Sequence, residues 1–76
     1  MEWIAETTDT FGGQANYSWT RRVPFETDAT ASRLTIVRRG KAAAGLTGAR
    51  CRVTDFGSLI ELRPYGECTV TFLTPV

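Results

Sequence analysis

The chain has 76 residues, of which 42% are hydrophobic, and its formal net charge is +1. A chain of this length forms one domain with a thin core, and its hydrophobic content argues against intrinsic disorder. No apolar run approaches the roughly 20 residues that span a bilayer, and the acidic start MEWIAETTD lacks the pattern of an export signal. We therefore expect a single soluble, cytoplasmic domain over residues 1–76 that does not enter a membrane.

Two strands and a hairpin are predicted first. Residues 2–9 alternate imperfectly between two sets of side chains, which is typical of a strand, and two glycines in FGGQ then interrupt the pattern. Residues 15–23, ANYSWTRRV, are rich in residues that favour strands and are expected to complete a hairpin with a loop of five or six residues centred on FGGQ. Alternation divides this second strand into two faces, one with Tyr17, Trp19 and Arg21 and the other with Arg22.

A helix is predicted from Thr30 to Ala44. Asp28 or Thr30 can cap its start, and Gly45 or Gly48 can close its end. Small residues dominate its apolar side after the first turn, so its backbone can approach a sheet closely. The apolar side contains Ile36, Val37, Gly40, Ala43 and Ala44, and the opposite side carries Arg38 and Arg39.

Three further strands are predicted in the segments ARCRVTDF, SLIELRP and CTVTFL, with turns at DFGS and RPYGE. In the last strand we expect the threonines to face solvent and the alternate side chains to face the core. The element order ββ-α-βββ predicts an α+β fold, an antiparallel sheet of four to five strands with one helix packed on one face. The expected core is Trp3, Ile36, Val37, Cys51, Val53, Ile60, Leu62, Val70 and Phe72.

The sequence contains few residues suited to catalysis or to metal binding. The chain has no histidine, and its two cysteines, Cys51 and Cys68, cannot complete a four-ligand zinc site. Arg50 and Arg52 flank Cys51, but on a strand they point to the opposite face and do not activate its thiol. A single disulfide between the two cysteines is possible in principle, but we expect reduced cysteines that fill the core. We also expect no catalytic residues, no metal or other cofactor, and hence no enzymatic activity.

Two classes of binding remain open. Arginine, tyrosine and tryptophan are enriched in protein–protein interfaces, and a free strand edge could pair with a second copy to form a homodimer. The same residue types also hold nucleic acid, and the helix and third-strand arginines could form a basic stripe, although the near-neutral charge argues against it. The candidate binding residues are Tyr17, Trp19, Arg21, Arg22, Arg38, Arg39, Arg50 and Arg52.

The motifs DTFGGQANYSW, within Asp9 to Arg22, and TGARCRVTDFGSLIELRPYG, from Thr47 to Gly66, cover most of the chain. With them the chain resembles a family of small proteins encoded by bacteriophages and prophages. The resemblance brings no functional residues with it, but it implies a setting inside a bacterial host. Very short phage proteins often bind and block a host complex, as anti-CRISPR proteins do, so the resemblance implies an inhibitor of a host or phage protein complex.

Overall fold

A computed structural model describes all 76 residues, Met1–Val76. Its elements are β1 (Glu2–Phe11), β2 (Gln14–Glu26), α1 (Arg33–Ala43), β3 (Cys51–Asp55), β4 (Ile60–Pro64) and β5 (Thr69–Pro75). The predicted order ββ-α-βββ is confirmed, with one antiparallel sheet of five strands and one helix. At 11 residues, α1 falls short of the length and hydrophobicity that a membrane-crossing helix requires.

The strand order across the sheet is β2-β1-β5-β4-β3. The last strand of the chain, β5, therefore lies in the centre and joins the β1–β2 hairpin to the β3–β4 hairpin. The two edges of the sheet are β2 and β3, and the segment that contains α1 connects them. Binding features carried by β2 and by β3 consequently lie on opposite edges of the sheet.

Strand pairing separates the side chains into two faces. On one face Ala5 lies opposite Leu73, which lies opposite Ile60, and we call this the helix-side face. Its buried apolar side chains form one cluster with Ile36 of α1 and with Ala44, the residue that follows α1. On the other face, which we call the far face, Glu6 lies opposite Phe72 and Phe72 opposite Glu61.

The helix begins at Arg33, three residues after the predicted start at Thr30. The N-cap is Ser32, whose side-chain oxygen accepts a hydrogen bond from the Thr35 backbone N–H at 3.2 Å. The prediction of Asp28 or Thr30 as the cap is therefore wrong, because a serine closer to the helix satisfies the free amide.

The end of the helix follows the predicted glycine signal. Gly45 adopts a left-handed φ of 75°, and its N–H donates to the Ala42 carbonyl while the N–H of Leu46 donates to the Lys41 carbonyl. This pair of hydrogen bonds is the Schellman motif, which satisfies carbonyls that the helix itself leaves free.

The predicted core is confirmed in its centre and wrong at one edge. Val53 is 45% exposed because β3 is an edge strand with no neighbour on one side. Cys68 is also exposed, since it precedes β5, so only Cys51 is partly buried, and both thiols are free. The predicted core residues that are buried are Trp3, Ile36, Ile60, Leu62 and Val70, whereas Val37, Cys51 and Phe72 are half-buried.

The threonine face of β5 is buried, contrary to the expectation that it faces solvent. Thr71 and Leu73 lie on the helix-side face and are 1% and 0% exposed. The hydroxyl of Thr71 is hydrogen-bonded to that of Thr7 on β1, with 2.8 Å between the oxygens. Because each hydroxyl has a partner, two threonines can occupy the centre of the sheet without an unsatisfied polar group.

Candidate binding surface at the hairpin tip

The end of the β1–β2 hairpin that contains its turn, residues 9–20, departs from regular pairing, and we call it the hairpin tip. Thr8 lies opposite Thr20, but Thr10 lies opposite Ala15. Only Asp9 on β1 therefore faces residues 16–19 on β2, which form a large bulge. The predicted alternation, with Tyr17 and Trp19 on one regular strand face, is wrong because the bulge interrupts the ladder between them and Thr20.

The carboxylate of Asp9 organises this bulge. It accepts hydrogen bonds from the Ser18 backbone N–H at 2.9 Å, from Asn16 Nδ2 at 2.9 Å and from the Thr8 hydroxyl at 3.2 Å. Hydrogen bonding by the Ser18 side chain first, and by Asn16 second, holds the pKa of Asp9 well below its usual range, and the Ser18 backbone N–H adds a smaller contribution. The carboxylate thus remains ionised and takes the place of the ladder partner that the extra residues lack.

Tyr17 has an unusual backbone at the centre of the bulge. Its φ is 57°, and it is the one non-glycine residue of the chain with a positive φ. A left-handed conformation costs a non-glycine residue about 1–2 kcal/mol, and glycine or asparagine would adopt it more easily. Its side chain is 55% exposed, so burial does little to offset this cost. Packing therefore does not explain an aromatic residue at this position, and strained residues of this kind cluster at functional sites.

Two more aromatic side chains are exposed on the hairpin tip. Phe11 is 81% exposed and Trp19 is 47% exposed. The other tryptophan, Trp3, is 2% exposed and stacks on Phe25 with 6.3 Å between ring centroids. The chain thus divides its tryptophans between the core and the hairpin tip, and neither Trp19 nor Tyr17 is buried.

The hairpin tip is fixed to the sheet at two places. The hydroxyl of Thr8, which is fully buried, donates to the Trp19 carbonyl at 2.8 Å. On the far face, Arg63 of β4 donates through Nη1 to the Gly13 carbonyl at 2.7 Å and through Nε to Glu61 at 2.9 Å. The tip is therefore held against the sheet rather than attached by β1 and β2 alone.

Two of the predicted binding arginines have partners within the chain. Arg21 Nη2 donates to the Ala44 carbonyl at 2.6 Å, where a cation also interacts favourably with the C-terminal end of the helix dipole. Arg22 Nε lies 2.7 Å from Glu6 Oε2 in a solvent-exposed ion pair. Both side chains therefore contribute to the structure of the β2 edge, while both residues remain exposed.

The other four predicted arginines are exposed and have no carboxylate partner. The ion pairs of the structure involve Arg22, Arg33 and Arg63 instead. Arg52 lies opposite Arg63, on the far face. The four unpaired arginines are Arg38, Arg39, Arg50 and Arg52.

Sequence patterns did not identify two important residues of the hairpin tip. These residues are Phe11 and Asp9, and neither is among the candidate binding residues that the sequence predicts. A signal was available for Asp9, since Asp, Asn and Ser side chains commonly hydrogen-bond to nearby backbone in turns. The structure has no pocket and no group of three side chains suited to hold a metal ion.

Comparisons of the chain with protein-family models, with curated proteins and with solved structures gave no match.

Proposed function

We propose that the protein acts by binding another protein through its hairpin tip. The observation that carries this proposal is Tyr17, an exposed aromatic residue held in a left-handed conformation by the Asp9 bulge. Tyrosine and tryptophan are enriched among the residues that dominate interface energies, where their rings fill pockets on the partner. Trp19 and Phe11 are two further exposed aromatic residues of the same hairpin tip.

The fixed backbone of the hairpin tip supports the proposal. Binding through a mobile loop costs free energy because the loop must be ordered, whereas a surface that is already ordered avoids that cost. The hydrogen bonds of Asp9 inside the bulge, and that of Arg63 to Gly13, order this surface in advance. We further take α1 to pack on the helix-side face through Ile36 and Gly40, which leaves the tip free for a partner.

The partner that we propose is a protein complex of a bacterial host or of a phage. The resemblance to small phage and prophage proteins supports this setting, and it suggests that binding inhibits a host defence complex in the bacterial cytoplasm. Inhibition of this kind requires a surface that covers a functional site and requires no catalysis or cofactor.

Capture from bacterial lysate tests the proposal. A tip variant combines Phe11→Ser, Tyr17→Asn and Trp19→Ser, since asparagine tolerates the left-handed backbone at position 17. The matched control is Leu34→Ser, which removes another exposed apolar side chain, 67% exposed, from α1. We expect a discrete set of proteins to bind the unchanged chain and the control but not the tip variant. Equal capture by all three proteins would refute the proposal.

Nucleic-acid binding is the second candidate function, because four exposed arginines have no carboxylate partner. Unpaired arginines are free to contact phosphates, and phosphate contacts make affinity fall steeply with salt. Fluorescence anisotropy of a labelled single-stranded oligonucleotide, measured at low and moderate salt, tests this candidate. A steep loss of affinity supports it, and no binding at low salt eliminates it.

A further inference from the structure

The two edges of the sheet differ in how they meet solvent. On β2, the N–H of Thr27 donates to the Met1 carbonyl. Because backbone hydrogen bonding alternates along an antiparallel strand, the backbone groups of Phe25 and Val23 bond to β1, whereas those of Pro24 point away from the sheet. Proline has no N–H to offer to a new strand, and the charged Arg22 is the neighbouring residue in the same outward row of backbone groups. Proline and charged residues are devices that prevent an edge strand from pairing with another chain.

The β3 edge has no proline in its outward row, and the one charged residue of that row, Asp55, is already paired with Arg33. The N–H of Tyr65 donates to the Arg50 carbonyl at 3.0 Å, so Arg52 and Thr54 continue the hydrogen bonding to β4. The backbone groups of the alternate residues then point away from the sheet. These outward residues are Cys51, Val53 and Asp55, and they present three N–H donors and three carbonyl acceptors in one row.

The side chains along β3 add a pattern of charge and hydrophobicity. On the far face, Arg52 and Arg50 are exposed without a carboxylate partner. On the helix-side face, Val53 is 45% exposed. The one acid of the strand, Asp55, is already paired with Arg33, with 2.6 Å between Arg33 Nη2 and Asp55 Oδ1. The edge therefore offers two free cations on one face and an apolar side chain on the other.

We propose that the β3 edge binds an extended segment of another protein as a sixth, antiparallel strand. Such a strand would pair its backbone with Cys51, Val53 and Asp55, the mode of recognition known as β-augmentation. Its side chains would alternate, with an apolar residue opposite Val53 and acidic residues opposite Arg52 and Arg50. The site is independent of the hairpin tip, which lies toward the other edge of the sheet.

A second copy of the chain fits this edge less well. In two antiparallel β3 strands, outward residues must lie opposite outward residues, so positions of even number lie opposite even positions. Neither Arg50 nor Arg52 can then lie directly opposite Asp55 in any register. With Val53 at the two-fold axis, Arg52 would lie opposite Thr54 and Arg50 opposite Phe56. Charge complementarity therefore favours an acidic segment from a different protein.

A synthetic peptide tests the site directly. The probe is acetyl-Lys-Thr-Val-Glu-Val-Glu-amide, which in the antiparallel register puts its first valine opposite Val53 and its glutamates opposite Arg52 and Arg50. The control is the charge-reversed acetyl-Glu-Thr-Val-Lys-Val-Lys-amide. Each peptide is titrated into the ¹⁵N-labelled full chain to about 2 mM, so that even a complex with a dissociation constant of about 1 mM, or about −4 kcal/mol, is populated. Amide exchange is followed by NMR.

We expect the probe to slow exchange of the outward amides of Cys51, Val53 and Asp55. The amides of Arg52 and Thr54 already bond to β4 and should not slow further. The charge-reversed peptide should bind at least about tenfold more weakly, because attraction opposite each arginine becomes repulsion.

Two variants separate the backbone contribution from the charge contribution. Val53→Pro removes an outward N–H without breaking a bond to β4, as Pro24 does on β2, and should abolish binding. The double variant Arg50→Glu with Arg52→Glu should weaken binding of the probe about tenfold or more. This variant still tests the proposed site if the proline variant does not fold. The matched control, Arg38→Glu with Arg39→Glu, changes the net charge equally on α1 and should leave binding unchanged.

Three results would overturn the proposal. They are an absence of protection at the outward amides, an equal response to both peptides, and protection that grows with protein concentration in the absence of peptide, which would indicate a second copy. The tip variant distinguishes this site from the proposed function. It should lose lysate capture and keep peptide binding, whereas Val53→Pro should do the reverse.

Discussion

Replacement of Gly40 by alanine tests how α1 meets the sheet. In an exposed helix this change stabilises by about 1 kcal/mol, because glycine is the poorer helix former. Here Gly40 is buried, and an added methyl carbon would lie 2.6 Å from Leu73 Cδ2. Carbon atoms prefer about 3.5–4.0 Å, and Leu73 is 0% exposed, so its side chain can give way only by pressing on other buried side chains.

Whether Gly40→Ala stabilises or destabilises the protein depends on the gain in helix propensity and on the cost of overpacking against Leu73. Overpacking of a well-packed core typically costs about 1–3 kcal/mol, which exceeds the gain in helix propensity. We therefore expect Gly40→Ala to lower the free energy of unfolding by about 1 kcal/mol, measured by urea denaturation followed by circular dichroism. For a domain of this size the melting temperature should fall by about 4–8 °C.

A double-mutant cycle with Leu73→Ala identifies the cause. Leu73→Ala alone should cost about 2–5 kcal/mol, because it leaves a cavity under the helix. In the Gly40→Ala background it should cost less, by about 1 kcal/mol or more, since the new methyl group occupies part of the vacated space. Stabilisation by Gly40→Ala, together with additive effects in the cycle, would refute the close approach of α1 to Leu73.

Three further predictions concern single contacts. Hydrogen bonds from Arg33, and then from the Gly57 N–H, lower the pKa of Asp55 to about 2. The stability that Asp55 contributes should therefore be complete above about pH 4 and lost as the pH falls through about 2. Measured against pH, the free energies of unfolding of the unchanged chain and of Asp55→Asn should converge at the acid end. Thr71→Val should lower the free energy of unfolding by about 1–3 kcal/mol in urea denaturation, since the buried Thr7 hydroxyl loses its partner. The double variant Thr7→Val with Thr71→Val should recover most of this loss. An equal loss in the single and double variants would contradict the prediction. Asp9→Ala should speed amide exchange at residues 16–18 without affecting the core amides, and unchanged exchange there would show that other contacts fix the bulge.

Much of the fold could be predicted from local signals. The breaker glycines of FGGQ, the glycine after Ala44 and the alternation of Ile60 and Leu62 each act over a few residues, so their consequences can be predicted without the rest of the chain. The element order and the end of the helix were accordingly confirmed. The helix start was misplaced because Asp28, Thr30 and Ser32 are all competent caps, and only packing selects among them.

The errors arose where position in the sheet decides the outcome. Val53 and Val70 have the same side chain and similar strand patterns, but Val53 lies on an edge and Val70 lies in the central strand. The threonines of β5 suggested a solvated face, whereas a partner on β1 allows Thr71 to be buried. The strand order, which depends on pairing between the first and last segments of the chain, is not visible in any local window.

The candidate site was predicted in part. The aromatic residues of ANYSW were identified as binding candidates, and they are exposed on the hairpin tip. The bulge that fixes them was not predicted, because period-two alternation assumes one partner for each residue. Asp9 instead faces four residues, and its carboxylate replaces the ladder only because Asn16 and Ser18 lie within reach.

Site-specific photo-crosslinking tests the central claim most directly. The photoreactive residue p-benzoylphenylalanine replaces Trp19 in one variant and Leu34 in another, and both proteins are irradiated inside bacterial cells. We expect position 19 to give a discrete crosslinked protein that position 34 does not give. A crosslink at position 34 alone, or crosslinks at position 19 to nucleic acid and to no protein, would contradict the account.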